Sequence, residues 1–257
     1  MSDGPFAQTQ RELGRMQQNT IPGARDAPIT TALIVVNVLI FALEETWGGS
    51  ETTRTLVRMG AIFSDDPAGL RLATLMTYGY LHIGPLHIGM NMFGLWNIGR
   101  MLEPLLGPSR FFLLYTLSLL GGGIAIALSP NPHITAGASG ALFGLLGAIC
   151  ALLLRRYRNS RSAPERKVIR GWLGRMLLPN VLISLLPGVS FLGHAGGLLI
   201  GALFMARSLV GPADPRAALA VRERSVPADI SAVLLLLLTL GALAWQWWSF
   251  APWATQV

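Results

Sequence analysis

Long apolar stretches with almost no charge inside them constrain this chain more than any other feature of its sequence. Seven stand out, at residues 29–43, 81–101, 111–128, 139–154, 172–186, 191–205 and 230–248. The fifth is the weakest, because Arg175 and Pro179 interrupt it. None alternates apolar and polar residues with period two, so helices rather than barrel strands are expected to cross the bilayer. Charged residues make up only 13 % of the chain, about half of what a soluble domain carries. The expected class is an all-α polytopic membrane protein.

The net charge of +7 would suit a nucleic-acid partner, but the placement of the basic residues argues against one. With the N-terminus set inside, seventeen of the twenty Lys and Arg residues fall in inner segments, and only Arg54, Arg58 and Arg71 fall outside. That asymmetry fixes an orientation by the positive-inside rule. The second, fourth and sixth spans then all run from outside to inside. Residues 1–28 form a polar inner tail without a secretory apolar core. Residues 44–80 hold Trp47, Phe63, Met76 and Tyr78 among charges and are expected to lie in the interface, with short amphipathic helices. Residues 155–170 form a strongly basic inner segment and 208–229 a polar linker. The stretch from 230 to the C-terminus is a seventh span ending in an aromatic belt of Trp245, Trp247 and Trp248. The single cysteine, Cys150, lies in an apolar stretch, so neither a disulfide framework nor a metal cluster is expected.

Counting back from the inner basic boundaries gives depth. Ser139 lies sixteen residues before Arg155, roughly 24 Å above it at helical rise. His194 and His87 each lie thirteen residues before a boundary arginine, Arg207 and Arg100, or roughly 20 Å. Asn91 shares a helix face with His87. Polar groups from three spans thus occupy one layer below the outer surface, where they are costly unless paired or wet. Gly140 and Gly144 form one small-residue ridge, and Gly193, Gly197 and Gly201 another. Such ridges let helix backbones approach closely. If they face each other, Ser139 and His194 come within hydrogen-bonding reach.

Ser139 follows the flexible Gly137-Ala138 turn and opens a helix, where unpaired backbone N–H groups and the positive end of the dipole can hold an oxyanion. His194 can take the serine proton and return it to a leaving group. No acidic residue lies in the outer half of a span. Asp65 and Asp66 are the only ones able to fold back, so a Ser–His dyad is expected rather than a triad. His87, Asn91 and the Ser139 N–H are candidate oxyanion donors. Phe143, one turn below Ser139, either stacks on the imidazole or simply fills the core. His82 anchors the loop or holds water, His133 is solvated, and Gly121-Gly122-Gly123 serve packing.

These motifs together resemble the rhomboid family of intramembrane serine proteases. The carriers are His82-x4-His87-x3-Asn91, Leu102-Glu103 with Leu106-Gly107, Gly137-Ala138-Ser139-Gly140, and His194-x2-Gly197-x3-Gly201. The resemblance covers residues 29–207 and implies a six-helix core with the nucleophile on the fourth helix and the base on the sixth. The seventh span resembles the six-plus-one variant. The fifth helix and the loop before the sixth, near Phe191 and Leu192, are implied as a gate, and Pro179 and Pro187 are compatible with bending there. The Trp-Arg pair common before the second helix is missing; Leu70-Arg71 stands further upstream, which leaves the anchoring of the first loop open. The seventh span, Leu-rich and without polar candidates, is given a peripheral role.

The implied activity is hydrolysis of a peptide bond in or near a single-span transmembrane substrate, at small residues. A substrate helix must unwind first, because its backbone groups are paired. No cofactor, metal or nucleotide is needed, and no Walker or metal-ligand spacing is found. The lipid bilayer is the other partner, and the oligomeric state is open. A proteolytically inactive relative that binds membrane clients is the alternative. A solute transporter fits less well, since inverted repeats with broken midplane helices are not seen. One lysine against nineteen arginines suggests a GC-rich bacterial genome and a plasma-membrane location.

Overall fold

Proline and glycine punctuate the helices of this chain. The computed structural model describes residues 26–63, 72–130, 133–208 and 226–250. The expected tail up to residue 25, Asp65, Asp66, Leu70, Arg71, the linker 209–225 and the residues after 250 lie outside these. Helix α1 is Pro28–Thr46, α2 Thr53–Met59, α3 Leu72–Thr77, followed by a 3-10 turn at Tyr78–Tyr80. Then come α4 (Gly84–Leu106), α5 (Pro108–Ala127), α6 (Ser139–Asn159), α7 (Ala163–Ser184), α8 (Phe191–Ser208) and α9 (Val226–Phe250). Helices α1, α4 and α5 each have proline in the first turn, where its missing N–H leaves no helical bond unmade. Gly107 alone joins α4 to α5, with φ at +79°, a conformation that disfavours any residue with a Cβ.

A helix stands at each of the seven expected spans, so the fold is all-α. By length and composition α1, α5, α6 and residues 228–246 of α9 can cross a membrane, and α8 is a shorter apolar helix. Helices α4 and α7 are more polar, since α4 carries His87, Asn91, Arg100 and Glu103 and α7 carries Arg166, Lys167, Arg170 and Arg175. Large apolar side chains face outward, among them Leu86, Phe93, Leu199, Leu203, Leu237 and Leu240. Such a surface is suited to lipid tails rather than water. Helix α6 sits at the centre. Its residues from Phe143 to Cys150 are buried without a break, so no face of that stretch meets the surroundings. Helices α5 and α8 cover it on two sides.

Three expectations need correction. The segment 44–80 does not merely lie at the surface. Leu56, Met59, Ile62, Met76, Tyr78 and Tyr80 enter the core. Strand β1 (Ile62–Phe63) pairs antiparallel with β2 (Ile134–Thr135), in the loop before Ser139. The helix of the fifth span starts before residue 172, and the basic segment 155–170 is nearly all helical. Helix α6 runs on to Asn159 and α7 starts at Ala163, because Ser162 caps α7 by accepting the Glu165 N–H at 3.3 Å. Nor is α9 without polar groups. The Thr239 hydroxyl, which donates to the Leu235 carbonyl at 2.8 Å, also lies 3.6 Å from the Met76 sulfur, Gln246 donates to the Arg58 carbonyl at 3.2 Å, and Ser109 hydrogen-bonds Asp229. The last helix thus packs on α2, α3 and α5. Of the expected aromatic belt, Trp245 and Trp248 are exposed; the Trp247 side chain lies outside the description.

Among the described residues two acids are buried within the helical core. Glu44, expected in the loop, lies inside α1 and receives the His82 N–H at 3.1 and 3.2 Å. Glu103 lies in the last turn of α4, which continues past Pro104. Its carboxyl oxygens accept the N–H groups of Ile29 and Thr30 and the Thr30 hydroxyl, all at 2.8 Å. They satisfy the exposed donors at the start of α1. Glu103→Ala is expected to lower unfolding free energy by about 3 kcal/mol, because buried donors lose charged acceptors. Glu103→Gln, keeping one acceptor, is expected to lose about half of that. Unfolding in mixed micelles measures both.

Candidate active site

The serine turn is held from below and from the side. Gly137 has φ +129°, and a Cβ there would sit 2.7 Å from Cε1 of His87. Only glycine fits that combination of backbone and neighbour. The Gly137 N–H donates to the Tyr78 carbonyl at 2.9 Å. The Tyr78 hydroxyl in turn donates to the Leu119 carbonyl at 2.7 Å. Together with the β1–β2 pair these bonds fix where α6 begins. Ser139 is its first residue, and the first helical bond closes from the Leu142 N–H to the Ala138 carbonyl at 3.0 Å. The N–H groups of Ser139 and Gly140 therefore point off the end of the helix.

Helices α6 and α8 meet through glycine. A Cβ on Gly197 would fall on the Gly140 carbonyl oxygen, and one on Gly201 on the Gly144 carbonyl oxygen. The two ridges face each other at backbone contact. Helix α5 joins them, since a Cβ on Gly122 would lie 2.8 Å from the Gly193 carbonyl oxygen. This close approach places His194 Nε2 2.9 Å from Ser139 Oγ. Phe143 stacks on the imidazole, with ring centres 3.9 Å apart and planes 9° from parallel. The ring cannot tip without losing that face contact. On its other nitrogen, Nδ1 lies 2.7 Å from the Ser184 hydroxyl of α7. His194 is 6 % exposed and Ser184 only 2 %, so both polar groups need partners from within the protein.

His87 stands at the start of α4. Its Nδ1 accepts the Ile83 N–H at 3.2 Å. In the neutral ring the proton then resides on Nε2, the nitrogen turned toward Gly137, two residues from Ser139. Asn91, one turn on, donates one amide N–H to the His87 carbonyl at 3.0 Å. His82 is fully buried and meets His87 edge to face at 5.2 Å. Ser139, His194 and Phe143 are thus in direct contact, Gly137, Gly140, Gly197 and Gly201 form the seams that permit it, and His87 with Asn91 borders the serine turn. Among the described residues no cluster of three or more His, Cys, Asp or Glu could hold a metal. Ser184 is the participant that the sequence did not reveal. Its only trace is the i, i+4 pairing of Asn180 and Ser184 on α7.

A family model for the Rhomboid domain matches residues 70–209, more than half of the chain. The rhomboid protease GluP of Bacillus subtilis is 36 % identical over 220 residues, covering 83 % of this chain and 39 % of that protein. The mitochondrial RHOMBOID-like protein 6 of Arabidopsis thaliana is 36 % identical, covering 58 % of this chain and 48 % of that one. The rhomboid protease GlpG of Serratia proteamaculans is 27 % identical over 70 % of this chain and 62 % of its own length. The chain spans less than half the length of the first two. With glycine-seamed helices setting a serine against a histidine inside an all-α membrane fold, and with the family's domain matched over that same core, this chain belongs to the rhomboid family.

Proposed function

We propose that the chain is an intramembrane serine endopeptidase working through a Ser139–His194 dyad. The observation that carries this is the 2.9 Å approach of Ser139 Oγ to His194 Nε2, between two helices that lie in the membrane. Attack by Ser139 Oγ on the scissile carbonyl carbon passes the hydroxyl proton to Nε2. The carbonyl oxygen becomes an oxyanion, received by the Ser139 N–H, the His87 Nε2–H and the free N–H of Asn91. His194 then gives its proton to the leaving amine, and an acyl ester remains on Ser139. Water, deprotonated by His194, hydrolyses the ester and restores the serine. Phe143 keeps the ring in plane and faces the imidazolium with its π cloud. No carboxylate meets the imidazole among the described residues.

The substrate class is a single-span transmembrane protein cut at small residues, where its helix unwinds most readily. Entry past α7 is supported by that helix's shallow seating, since only Ile169 and Ser184 of its residues are buried. The arginine distribution supports an inner N-terminus and a site opening to the outer face of a bacterial plasma membrane. Residues 29–207 form the protease core, with the tail, linker and seventh helix outside it.

A fluorophosphonate probe tests the nucleophile without a substrate. The wild type is expected to label at Ser139, and Ser139→Ala and His194→Ala are expected not to. Equal labelling of all three, or an unlabelled wild type, refutes the dyad and leaves the client-binding alternative.

A further inference from the structure

We propose that Ser184 is a positioning residue that holds His194 in the tautomer able to accept the Ser139 proton. The inference rests on the dyad reading above. Proton bookkeeping carries it. The Ser184 hydroxyl has one proton and two neighbours within bonding distance, the Asn180 carbonyl at 2.8 Å and His194 Nδ1 at 2.7 Å. A carbonyl oxygen can only accept. If the proton went to Nδ1, Ser184 Oγ and the Asn180 oxygen would face each other as two acceptors. One arrangement satisfies both contacts: Ser184 donates to Asn180 and accepts from Nδ1–H. That leaves Nε2 with its lone pair, aimed at Ser139 Oγ 2.9 Å away.

The chain of donors then runs one way, from Ser139 O–H to Nε2, from Nδ1–H to Ser184, and from Ser184 O–H to the Asn180 carbonyl. During proton transfer Nδ1–H becomes a stronger donor, and Ser184 receives it without supplying charge. The acceptor does what a carboxylate does in a triad, orienting the ring and fixing its tautomer, but as a neutral group. Its location adds a consequence. Ser184 is the last residue of α7 and one of only two buried there. The base is therefore correctly held only while the end of α7 is seated against α8. Phe143 fixes the ring plane from α6, and Ser184 fixes its rotation within that plane from α7.

The test uses the full chain in detergent micelles with 15N-labelled histidine, assigned by comparison with His194→Ala. Wild-type His194 is expected to carry its proton on Nδ1, and Ser184→Ala to shift it toward a mixture of tautomers. A wild-type ring protonated on Nε2 overturns the proposal without need of any variant. In proteoliposomes with a single-span substrate, Ser184→Ala is expected to lower kcat by about tenfold, the worth of one hydrogen bond to a charged group, with KM unchanged. Ser184→Thr, which keeps the hydroxyl, is expected to recover most of that loss. Wild-type kcat in Ser184→Ala, or a loss shared equally by Ser184→Thr, overturns it. Should wild type and Ser139→Ala both leave the substrate intact, the protease reading fails, while the ring tautomer still decides the role of Ser184.

Discussion

Ser139→Ala is expected to lower cleavage of a reconstituted single-span substrate by about 10⁴-fold or more, His194→Ala to do much the same, and the double variant no worse than either. The two groups act as one device. Without the imidazole, Ser139 has no acceptor for its proton within reach on α8; without the hydroxyl, the imidazole has no nucleophile to activate. Their separate contributions therefore cannot add. What remains in the variants comes from the oxyanion donors and from substrate positioning, which are untouched. The fold should survive, because Ser139→Ala removes one oxygen at the start of the helix and leaves its unbroken buried stretch, Phe143–Cys150, untouched. The measurement is fragment yield against time, alongside thermal unfolding. Additive losses, or a fully active His194→Ala, would show that the proton leaves by another route.

The second large effect is expected from Gly197→Val. Its Cβ would occupy the position of the Gly140 carbonyl oxygen, which belongs to backbone and cannot rotate away. Helix α8 must back off from α6, and overpacking of this kind costs about 3 kcal/mol. Activity should fall further than stability, since Gly140 adjoins Ser139 and any retreat of α8 takes His194 with it. Gly201→Val, meeting the Gly144 carbonyl one turn on, is expected to lose similar stability but less activity. Gly241→Ala on α9, with nothing within 4 Å of its added carbon, serves as the silent control. Unfolding midpoints and cleavage rates measured together separate the two components. A fully stable and active Gly197→Val would mean that the seam is not as tight as its geometry states.

Much of this arrangement was legible because membrane helices obey few rules. Helical rise converts residue counts into depth, so the sequence alone sets Ser139, His87 and His194 in one layer. Glycines four apart mark where backbones touch, and those of α6 and α8 do touch. Less visible was everything that depends on a partner remote in sequence. Glu44 and Glu103 look like loop acids until the backbone donors of His82, Ile29 and Thr30 are brought to them. Segment 44–80 looks interfacial because its aromatic and charged residues are mixed, yet Ile62 pairs with the loop before Ser139, Tyr78 accepts the Gly137 N–H, and Met76 is buried against α9. The start of α7 was hidden by its arginines, which raise polarity without breaking a helix, while Ser162 supplies the cap. Ser184 gave no signal because a serine at a helix end is ordinary until the group opposite it is known.

The placement of α9 has a consequence for how the molecule is made. Its Gln246 holds the Arg58 carbonyl, 188 positions earlier in the chain, and its Thr239 reaches Met76. A ribosome delivers α2 and α3 long before the helix that covers them. Until α9 is inserted, the connecting region that props up the serine turn has one flank uncovered. Docking of α9 thus closes that flank, and a chain released before residue 226 would carry every catalytic candidate in an unfinished setting.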